Sequence, residues 1–327
     1  MFGQDGGQSI DLGDGRILFL FSDTLLAVQD TALLSGRAAP VPTRSPLGSA
    51  ALFLPNCCAI AERQATFVKT LEGMRYLSDS AGVPRILLVA REREQFEQLR
   101  FWPEHGVRLG DAVYLYYLGI QTVDPNLSFG FRHAGTGLAR LDLNTMTATR
   151  VTHRGEWRIW ATTRDDLHVG VCVVPVEEWL YVYCAARDGV HTEAHLMRVQ
   201  PQNIEDAGAY EYLSSCAPTW SAAREDAMSL GESATEYNVR FNAHFGQYMM
   251  SYVDAFSKAI TVRFAPHPWG PFGPPKPLIL VPSAPDVPMV YLGFEHSLFE
   301  EQGGARIYLS YSQPEFSMNA SVQLTFA

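Results

Sequence analysis

The 327-residue sequence lacks long apolar runs and carries little charge for its length. No segment approaches the ~18 consecutive apolar residues that a membrane-spanning helix needs. No basic segment followed by an apolar run marks a signal peptide, so the chain is expected to be cytoplasmic unless an upstream segment is missing. Only 18% of residues are charged, 47% are hydrophobic and the formal net charge is −10. This balance argues against disorder and against a nucleic-acid partner.

Motifs for several kinds of chemistry are also missing. The five cysteines form no C-x-x-C pair and their number is odd, so neither a zinc knuckle nor a full disulfide framework is indicated. The absence of Walker, Rossmann and G-x-S-x-G motifs excludes the familiar forms of nucleotide-dependent chemistry and serine hydrolysis. Helical periodicity is scarce, and the best helix candidates are Ala90–Leu99 and Ser221–Leu230.

Short strands separated by turns fill the rest of the chain. Five aromatic and β-branched runs resemble one another: Ile17–Phe21, Val113–Ile120, Trp179–Ala185, Tyr248–Val253 and Arg306–Tyr311. Each is preceded by a more polar strand, in order QDGGQSI, WPEHGVRL, HVGVCVV, YNVRFNA and EHSLF. Several are followed by a closing strand, namely TGLARLDL, EAHLMRVQ, AITVRFAP and SVQLTFA.

This weak repeat predicts an all-β fold, a single five-bladed β-propeller of four-stranded antiparallel blades over residues 1–327. Insertions around residues 27–50 and 60–100 account for the uneven spacing. A β-sandwich of similar strands is the structural alternative.

The first unit contains a predicted hairpin with an aspartate on each strand. Its turn is Gly13-Asp14-Gly15, so residues whose numbers sum to 28 face each other and Asp5 faces Asp23. Opposed like charges are mildly destabilising, which a fold selected for stability alone would avoid. Gly6 and Gly7 permit a bulge that would shift this register. The alternative interpretation is that both aspartates are solvated turn residues.

Propeller geometry brings the first strand of every blade to the central channel. Polar side chains from all five units should therefore meet there, which is typical of a site for a polar ligand. They are Asp5, Glu104, His105, His168, Glu236, Asn238, Arg240, Glu295 and His296.

Three stretches resemble a known family. The "DGG…GDGR…F.DT" pattern of the hairpin is similar to the opening blade of five-bladed propellers related to arabinanases and β-xylosidases. It most resembles a group long labelled a domain of unknown function, which includes endo-D-arabinan hydrolases. HPWGPFGPPKPLI, residues 267–279, resembles that group's "WGPW-S-P" turn, and NVRFNAHFGQYMMSY resembles the strand pair before it. The resemblance implies that acidic residues of the first blade, Asp5 and Asp23, act at a glycosidic bond.

Glycoside hydrolysis needs a carboxylic acid and a carboxylate, ~5–5.5 Å apart in retaining enzymes and ~6.5–9.5 Å in inverting ones. We expect Asp5 to be the base or nucleophile and Asp23 its partner. If Asp23 only tunes Asp5, the acid would come from across the channel, from Glu236 or Glu295. The predicted substrate is an arabinan-like or related polysaccharide, and the predicted protein is a monomer without a nucleic-acid or membrane partner.

The remaining polar residues of the channel suit substrate binding. Arg240 and Asn238 can bind sugar hydroxyls and Trp102 can stack on a sugar face, with Glu104, His105, His168 and His296 beside them. No cofactor is expected, although three histidines from different blades leave a structural metal ion open. A non-catalytic glycan-binding propeller and a protein-interaction propeller are the rival functions, and neither requires two opposed carboxylates.

Overall fold

Antiparallel strands, grouped in five sheets, make up most of the described chain. The computed structural model describes residues 3–28, 50–62, 73–96, 98–124, 130–160, 167–188, 191–281, 289–313 and 325–326. Sheet 1 contains β1 (Gly3–Asp11), β2 (Arg16–Val28), β3 (Ala50–Leu54), β4 (Cys57–Glu62) and β5 (Arg75–Tyr76). Sheet 2 contains β6 (Leu99–Leu109), β7 (Ala112–Thr122), β8 (Phe131–Asp142) and β9 (Thr147–Arg150).

The other three sheets follow in chain order. Sheet 3 contains β10 (Leu167–Val176), β11 (Trp179–Asp188), β12 (His191–Val199), β13 (Glu211–Ser215) and β14 (Thr219–Ser221). Sheet 4 contains β15 (Asn238–Asn242), β16 (Gln247–Asp254), β17 (Ala259–Ala265) and β18 (Lys276–Leu280). Sheet 5 contains β19 (Tyr291–Glu295), β20 (Leu309–Ser312) and β21 (Thr325–Phe326).

The sheets form a closed ring around their first strands. β1 packs on β6, β6 on β10 and β10 on β15, while β16 packs on β19 and β19 returns to β1. A ring of radially arranged antiparallel sheets is the architecture of a β-propeller. The predicted all-β propeller with antiparallel blades is therefore confirmed.

The apolar strand β2 is buried on both of its faces, because a neighbouring sheet covers each one. Leu18 and Leu20 belong to a core shared with Phe101 of sheet 2. Phe19, which points to the opposite face, belongs to a core shared with Phe299 beside sheet 5. Similar cores lie between the other neighbouring sheets. This two-sided burial explains why the strands are apolar runs rather than alternating patterns.

The predicted first hairpin is present, and its register is altered only near Asp5. Asp11 pairs with Ile17 at the turn, and Gln4 pairs with Thr24 at the far end, so both numbers sum to 28. Between them Gly6 pairs with Phe21, which marks a shift on either side. Asp5 therefore lies in a bulge rather than in a regular pair with Asp23.

Comparable irregularities occur in other first strands. The register shifts at residues 5–7 of β1, 104–105 of β6, 170–171 of β10 and 292–293 of β19. A bulge bends a strand and redirects a side chain, and bulges are common beside active sites. The direction of side chains near the channel axis thus depends on these bulges as well as on the position of each strand.

Two local predictions were wrong. Ser221–Leu230 contains a 3₁₀ turn at Arg224–Asp226 instead of a helix. The reason is local competition, because the Ser221 hydroxyl bonds Asp226 Oδ2 at 2.6 Å and the Ala223 N–H at 3.1 Å. EHSLF is not the first strand of the fifth unit, since β19 ends at Glu295 and a 3₁₀ turn occupies Ser297–Phe299.

The other helix candidate, Ala90–Leu99, contains one short helix, α1 (Glu92–Phe96). Most of the predicted insertion at residues 27–50 lies outside the described residues, whereas most of the insertion at residues 60–100 is described. In the described part of the chain no helix is long and apolar enough to cross a membrane.

Candidate active site

Four acidic side chains cluster at the end of the ring where the first strands begin. Asp5 comes from β1, Asp23 from β2, Glu104 from the β6 bulge and Glu236 from the segment just before β15. The charges of Asp23 and Glu236 both act on Asp5, and the charge of Glu236 also acts on Glu104. The ring thus brings together acids that are far apart in sequence.

Asp5 is half-buried and holds its proton more tightly than an ordinary aspartate. Burial is the main cause, the negative charge of Asp23 is the second, and together with Glu236 they raise the pKa of Asp5 to about 7. The hydroxyl of Tyr291 opposes this shift, because it donates a hydrogen bond to Asp5 Oδ1 at 2.8 Å. Asp5 can therefore change protonation state near neutral pH.

Asp23 is held by two neighbours from β6. The indole N–H of Trp102 donates to Asp23 Oδ1 at 2.8 Å, and Arg100 Nη1 lies 3.7 Å from Asp23 Oδ2. Burial raises the pKa of Asp23, while Arg100 and Trp102 act in the opposite direction. The Trp102 ring packs edge-on against Phe131, with 5.1 Å between centroids. Trp102, predicted to stack on a sugar, thus makes a direct contact with one of the acids.

Glu236 and Glu104 complete the cluster. The Thr235 hydroxyl donates to Glu236 Oε2 at 2.7 Å. Burial raises the pKa of Glu236, whereas the Thr235 hydrogen bond and the charge of Arg187 lower it. Glu104 is buried, and its burial, followed by the charge of Glu236, raises its pKa well above the ordinary value. Burial and the charge of Glu236 thus both favour the protonated form of Glu104.

Asn238 lies deeper along the channel and connects three first strands. Its Nδ2 donates to Gln8 Oε1 at 3.2 Å, and Gln8 Nε2 donates to the Val171 carbonyl at 3.1 Å. The Glu295 N–H donates to Asn238 Oδ1 at 2.9 Å. These bonds join sheets 1, 3, 4 and 5, and we call them the inter-sheet belt.

Glu295 and Arg240 bind each other rather than facing the acid cluster. The Arg240 guanidinium bonds the carboxylates of Glu295 and Glu300, and the Ser251 hydroxyl donates to Glu295 Oε2 at 2.9 Å. Glu295 is 4% exposed. Its carboxylate has well-defined structural partners, so Glu236 is the better placed of the two candidate acids.

His105 and His296 also make bonds between sheets. Val173 donates its N–H to His105 Nδ1 at 3.0 Å. In His296, Nδ1 lies 2.9 Å from the Ser9 hydroxyl and Nε2 lies 2.9 Å from the Ser310 hydroxyl. Burial lowers the pKa of both histidines to about 4, so both rings are neutral at neutral pH.

His168 contacts a further histidine. Its ring contacts that of His133 edge-on, with 4.6 Å between centroids. Across the described ranges, no group of three or more His, Cys, Asp or Glu side chains is arranged to hold a metal ion. The bonds of His105 and His296 give each ring a structural role that needs no metal.

Three residues of the site were not predicted from the sequence: Arg100, Arg187 and Tyr291. Arg100 and Tyr291 were missed because their strands begin earlier in the sequence than predicted. β6 begins at Leu99 and β19 at Tyr291, whereas the predicted first strands began at Trp102 and Glu295. Arg187 lies at the outer end of β11, and its closeness to Glu236 depends on packing between sheets.

A cavity of about 480 Å³ adjoins the cluster, and both Glu236 and Tyr291 are part of its wall. Asp5 and Asp23 are not lining residues, so the cavity lies beside the acids rather than around them. Its volume is within the range of ligand pockets, roughly 300–1,000 Å³. The geometry therefore combines acids of raised pKa with an adjoining space for a ligand.

Comparison with known proteins assigns the family. The chain belongs to the family described as Domain of unknown function (DUF4185), whose model matches residues 1–315. No curated protein matches the sequence significantly.

Solved structures show where the same fold occurs. A candidate hydrolase from Bacteroides ovatus ATCC 8483 matches with a TM-score of 0.64 at 17% identity, covering 94% of this chain and 79% of that chain. An α-L-arabinofuranosidase from Clostridium thermocellum ATCC 27405 matches with a TM-score of 0.53 at 14% identity, covering 100% and 94%. A GH43_1 enzyme from Xanthomonas citri complexed with xylotriose matches with a TM-score of 0.54 at 13% identity, covering 99% and 87%. At these identities the likeness supports the propeller fold.

Proposed function

We propose that this protein is a five-bladed propeller glycoside hydrolase that cleaves furanosidic, arabinan-like or related polysaccharides. The observation that carries the proposal is the cluster of Asp5, Asp23 and Glu236 at one end of the channel. Five sheets arranged in a ring support five blades, although sheet 5 has three strands among the described residues. The protein is proposed to act as a monomer and to need no cofactor.

In this proposal Asp5 and Glu236 are the reacting pair. The charge of Glu236 raises the cost of ionising Asp5, because two carboxylates that share a site repel each other. Repulsion of this kind favours a state in which only one of the two carboxyl groups is ionised. One acid and one base are then available together, which is the requirement for hydrolysis of a glycosidic bond.

Asp5 is assigned the role of base or nucleophile, and Glu236 that of general acid. Tyr291 donates to Asp5 and favours its charged form. Asp23 is bound by Arg100 and Trp102, and its charge raises the pKa of Asp5. Glu236 lines the adjoining cavity, which is where an acid must stand to meet a leaving group.

Substrates with different leaving groups distinguish the role of Asp5 from that of Glu236. We expect Asp5→Asn to abolish hydrolysis of polysaccharides and activated aryl glycosides alike. Glu236→Gln should abolish polysaccharide hydrolysis but retain much of the activity on dinitrophenyl glycosides, because a good leaving group needs little protonation. Initial rates on arabinans, xylans, fructans and aryl glycosides, with circular dichroism as a folding check, measure this.

Equal losses on all substrates in the Glu236→Gln protein would refute its role as acid. No turnover by the wild type on any substrate, with glycan binding retained in both variants, would replace the hydrolase by a glycan-binding protein.

A further inference from the structure

The cavity beside the cluster lies between the ends of sheets 3 and 4. Its wall comes from the end of the β11–β12 hairpin, the segment before β15, the end of β16 and the start of β19. All of these lie at the end of the ring where the first strands begin, since Asp254 closes the hairpin that follows β16 and Asn238 pairs nearby with Ser251. The cavity and the acids therefore open on the same face of the propeller.

Two buried hydroxyl groups in this wall lack a hydrogen-bond partner in the described part of the chain. Ser233 is 8% exposed and Tyr252 is 2% exposed, and both residues belong to the cavity wall. Neither hydroxyl has a hydrogen-bond partner among the described residues. Buried polar groups are nearly always satisfied, so two orphaned hydroxyls in one wall require a ligand or solvent to complete them. Burial raises the pKa of Tyr252 to about 12, so its O–H is a neutral donor.

The rim of the cavity carries an exposed aromatic ring. Phe256 is 75% exposed and lines the cavity from the turn between β16 and β17. This turn is fixed by Asp254, whose Oδ1 accepts the N–H groups of Phe256 at 3.0 Å and Ser257 at 2.7 Å. A flat apolar ring at the edge of a polar cavity suits the apolar face of a sugar.

The charges of the wall restrict the ligand further. Glu193, Glu232 and Asp254 contribute carboxylates, and Arg187 stands beside Glu236. An anionic ligand would meet mainly like charges there, whereas a neutral ligand rich in hydroxyls could bond the carboxylates and both orphaned hydroxyls.

We infer that this cavity binds neutral sugar residues of the substrate chain, next to the bond that Asp5 and Glu236 cleave. The inference rests on the proposed function and adds a binding subsite to it. Ser233 and Tyr252 bond sugar hydroxyls, and Phe256 supports one sugar face. The protein therefore prefers oligosaccharides of uncharged sugars to uronic-acid chains and to single glycosides.

The test measures binding and stability together, in the non-hydrolysing Asp5→Asn protein. Isothermal titration calorimetry is run with arabino-oligosaccharides of two to six residues and with xylo-oligosaccharides of the same lengths. Oligogalacturonates serve as the charged probe and should not bind. We expect Tyr252→Phe and Ser233→Ala each to weaken binding of the longer neutral chains about two- to tenfold, the loss of one hydrogen bond.

The melting temperature of each variant is measured as well, because loss of a hydroxyl with a structural role would lower it. Removing an unpartnered buried hydroxyl should leave the melting temperature unchanged or raise it, so weaker binding would accompany equal or greater stability. Phe256→Ala should also weaken binding of the longer chains, whereas the matched control Phe245→Ala should not. Phe245 is a comparably exposed ring, 54% exposed, in the β15–β16 turn at the opposite end of the sheet.

Wild-type affinity in Tyr252→Phe, Ser233→Ala and Phe256→Ala would overturn the inference. Hydrolysis of polysaccharides together with such unchanged affinities would leave the proposed function standing and remove the subsite. Absence of hydrolysis by the wild type, together with weakened oligosaccharide binding in these variants, would remove the proposed function and leave the subsite standing.

Discussion

The hydrogen bond from Tyr291 to Asp5 should set the acidic limb of the pH profile. In the wild type the limb should lie near pH 7, because the pKa of Asp5 is raised to about 7 and Asp5 must be ionised to act as base. Tyr291→Phe removes a donor that favours the carboxylate, at 2.8 Å from Oδ1. The pKa of Asp5 must then rise and the limb must move to higher pH.

The size of this movement follows from the energy of the bond. A hydrogen bond to a charged group contributes roughly 1.5–3 kcal/mol, and one pKa unit corresponds to about 1.4 kcal/mol. Asp5 is half-buried and partly screened by solvent, so we take the lower end, a rise of about one unit. The kcat/KM of Tyr291→Phe relative to wild type should then be about tenfold lower at pH 6 and nearly equal at pH 9.

The assay is kcat/KM from pH 5 to 9 on a single substrate, for wild type and variant. The ratio of the two values at each pH cancels the basic limb if the acid is unchanged. Tyr76→Phe is the matched control, because Tyr76 donates to Gln4 Oε1 at 2.9 Å on the same strand as Asp5. It should alter stability and leave the limb in place. A limb that stays fixed in Tyr291→Phe, or moves to lower pH, would refute the reasoning.

Three further predictions concern stability, measured by urea denaturation. Asp5→Asn should stabilise the protein by a few kcal/mol at pH 8 and have little effect at pH 4. The reason is that a carboxyl whose folded-state pKa is raised destabilises the fold increasingly as pH rises from about 4 to about 7. A gain in stability that is independent of pH would contradict this. Arg240→Ala should cost about 3–5 kcal/mol because it leaves the buried Glu295 unpaired, and adding Glu295→Gln should recover part of the loss. Gly6→Ala should cost roughly 1–3 kcal/mol and reduce activity, because φ is +89° and the new Cβ would lie 3.1 Å from backbone. Gly15→Ala is the control for backbone strain without steric crowding, because φ is +84° and no atom lies within 4 Å of the new Cβ. It should leave activity unchanged.

The sequence allowed prediction of the all-β propeller fold and of the first strands of four units, whereas EHSLF was wrongly predicted to be the first strand of the fifth. A turn at Gly13-Asp14-Gly15 fixes a hairpin register, and that register places Asp5 near Asp23 whatever happens elsewhere. The bulge at Gly6 could be anticipated as an option, but its position depends on how sheet 1 packs around the axis. Local sequence patterns are therefore sufficient to predict the blades and the proximity of Asp5 and Asp23.

Depth along the channel could not be predicted. Glu236, Asn238 and Arg240 occupy alternate positions of one segment, yet Glu236 reaches the acid cluster while the other two bond neighbouring strands. The partner of Arg240 is Glu295, 55 residues away on another sheet. Whether a polar side chain is free for chemistry depends on such long-range partners, and no local pattern encodes them.

The two levels of the channel depend on each other. Asp5, Asp23, Glu104 and Glu236 repel one another at the end of the ring, and this repulsion acts between sheets that must stay together. The inter-sheet belt through Asn238 lies just below. It joins sheets 1 and 4, which supply three of those acids, to sheets 3 and 5, with neutral amides and backbone groups as its links. Because these links carry no net charge, the belt holds sheets 1, 3, 4 and 5 together without neutralising the acids above it. The raised pKa values can therefore persist in a stable fold, and residues of the belt serve the chemistry by position rather than by contact with substrate.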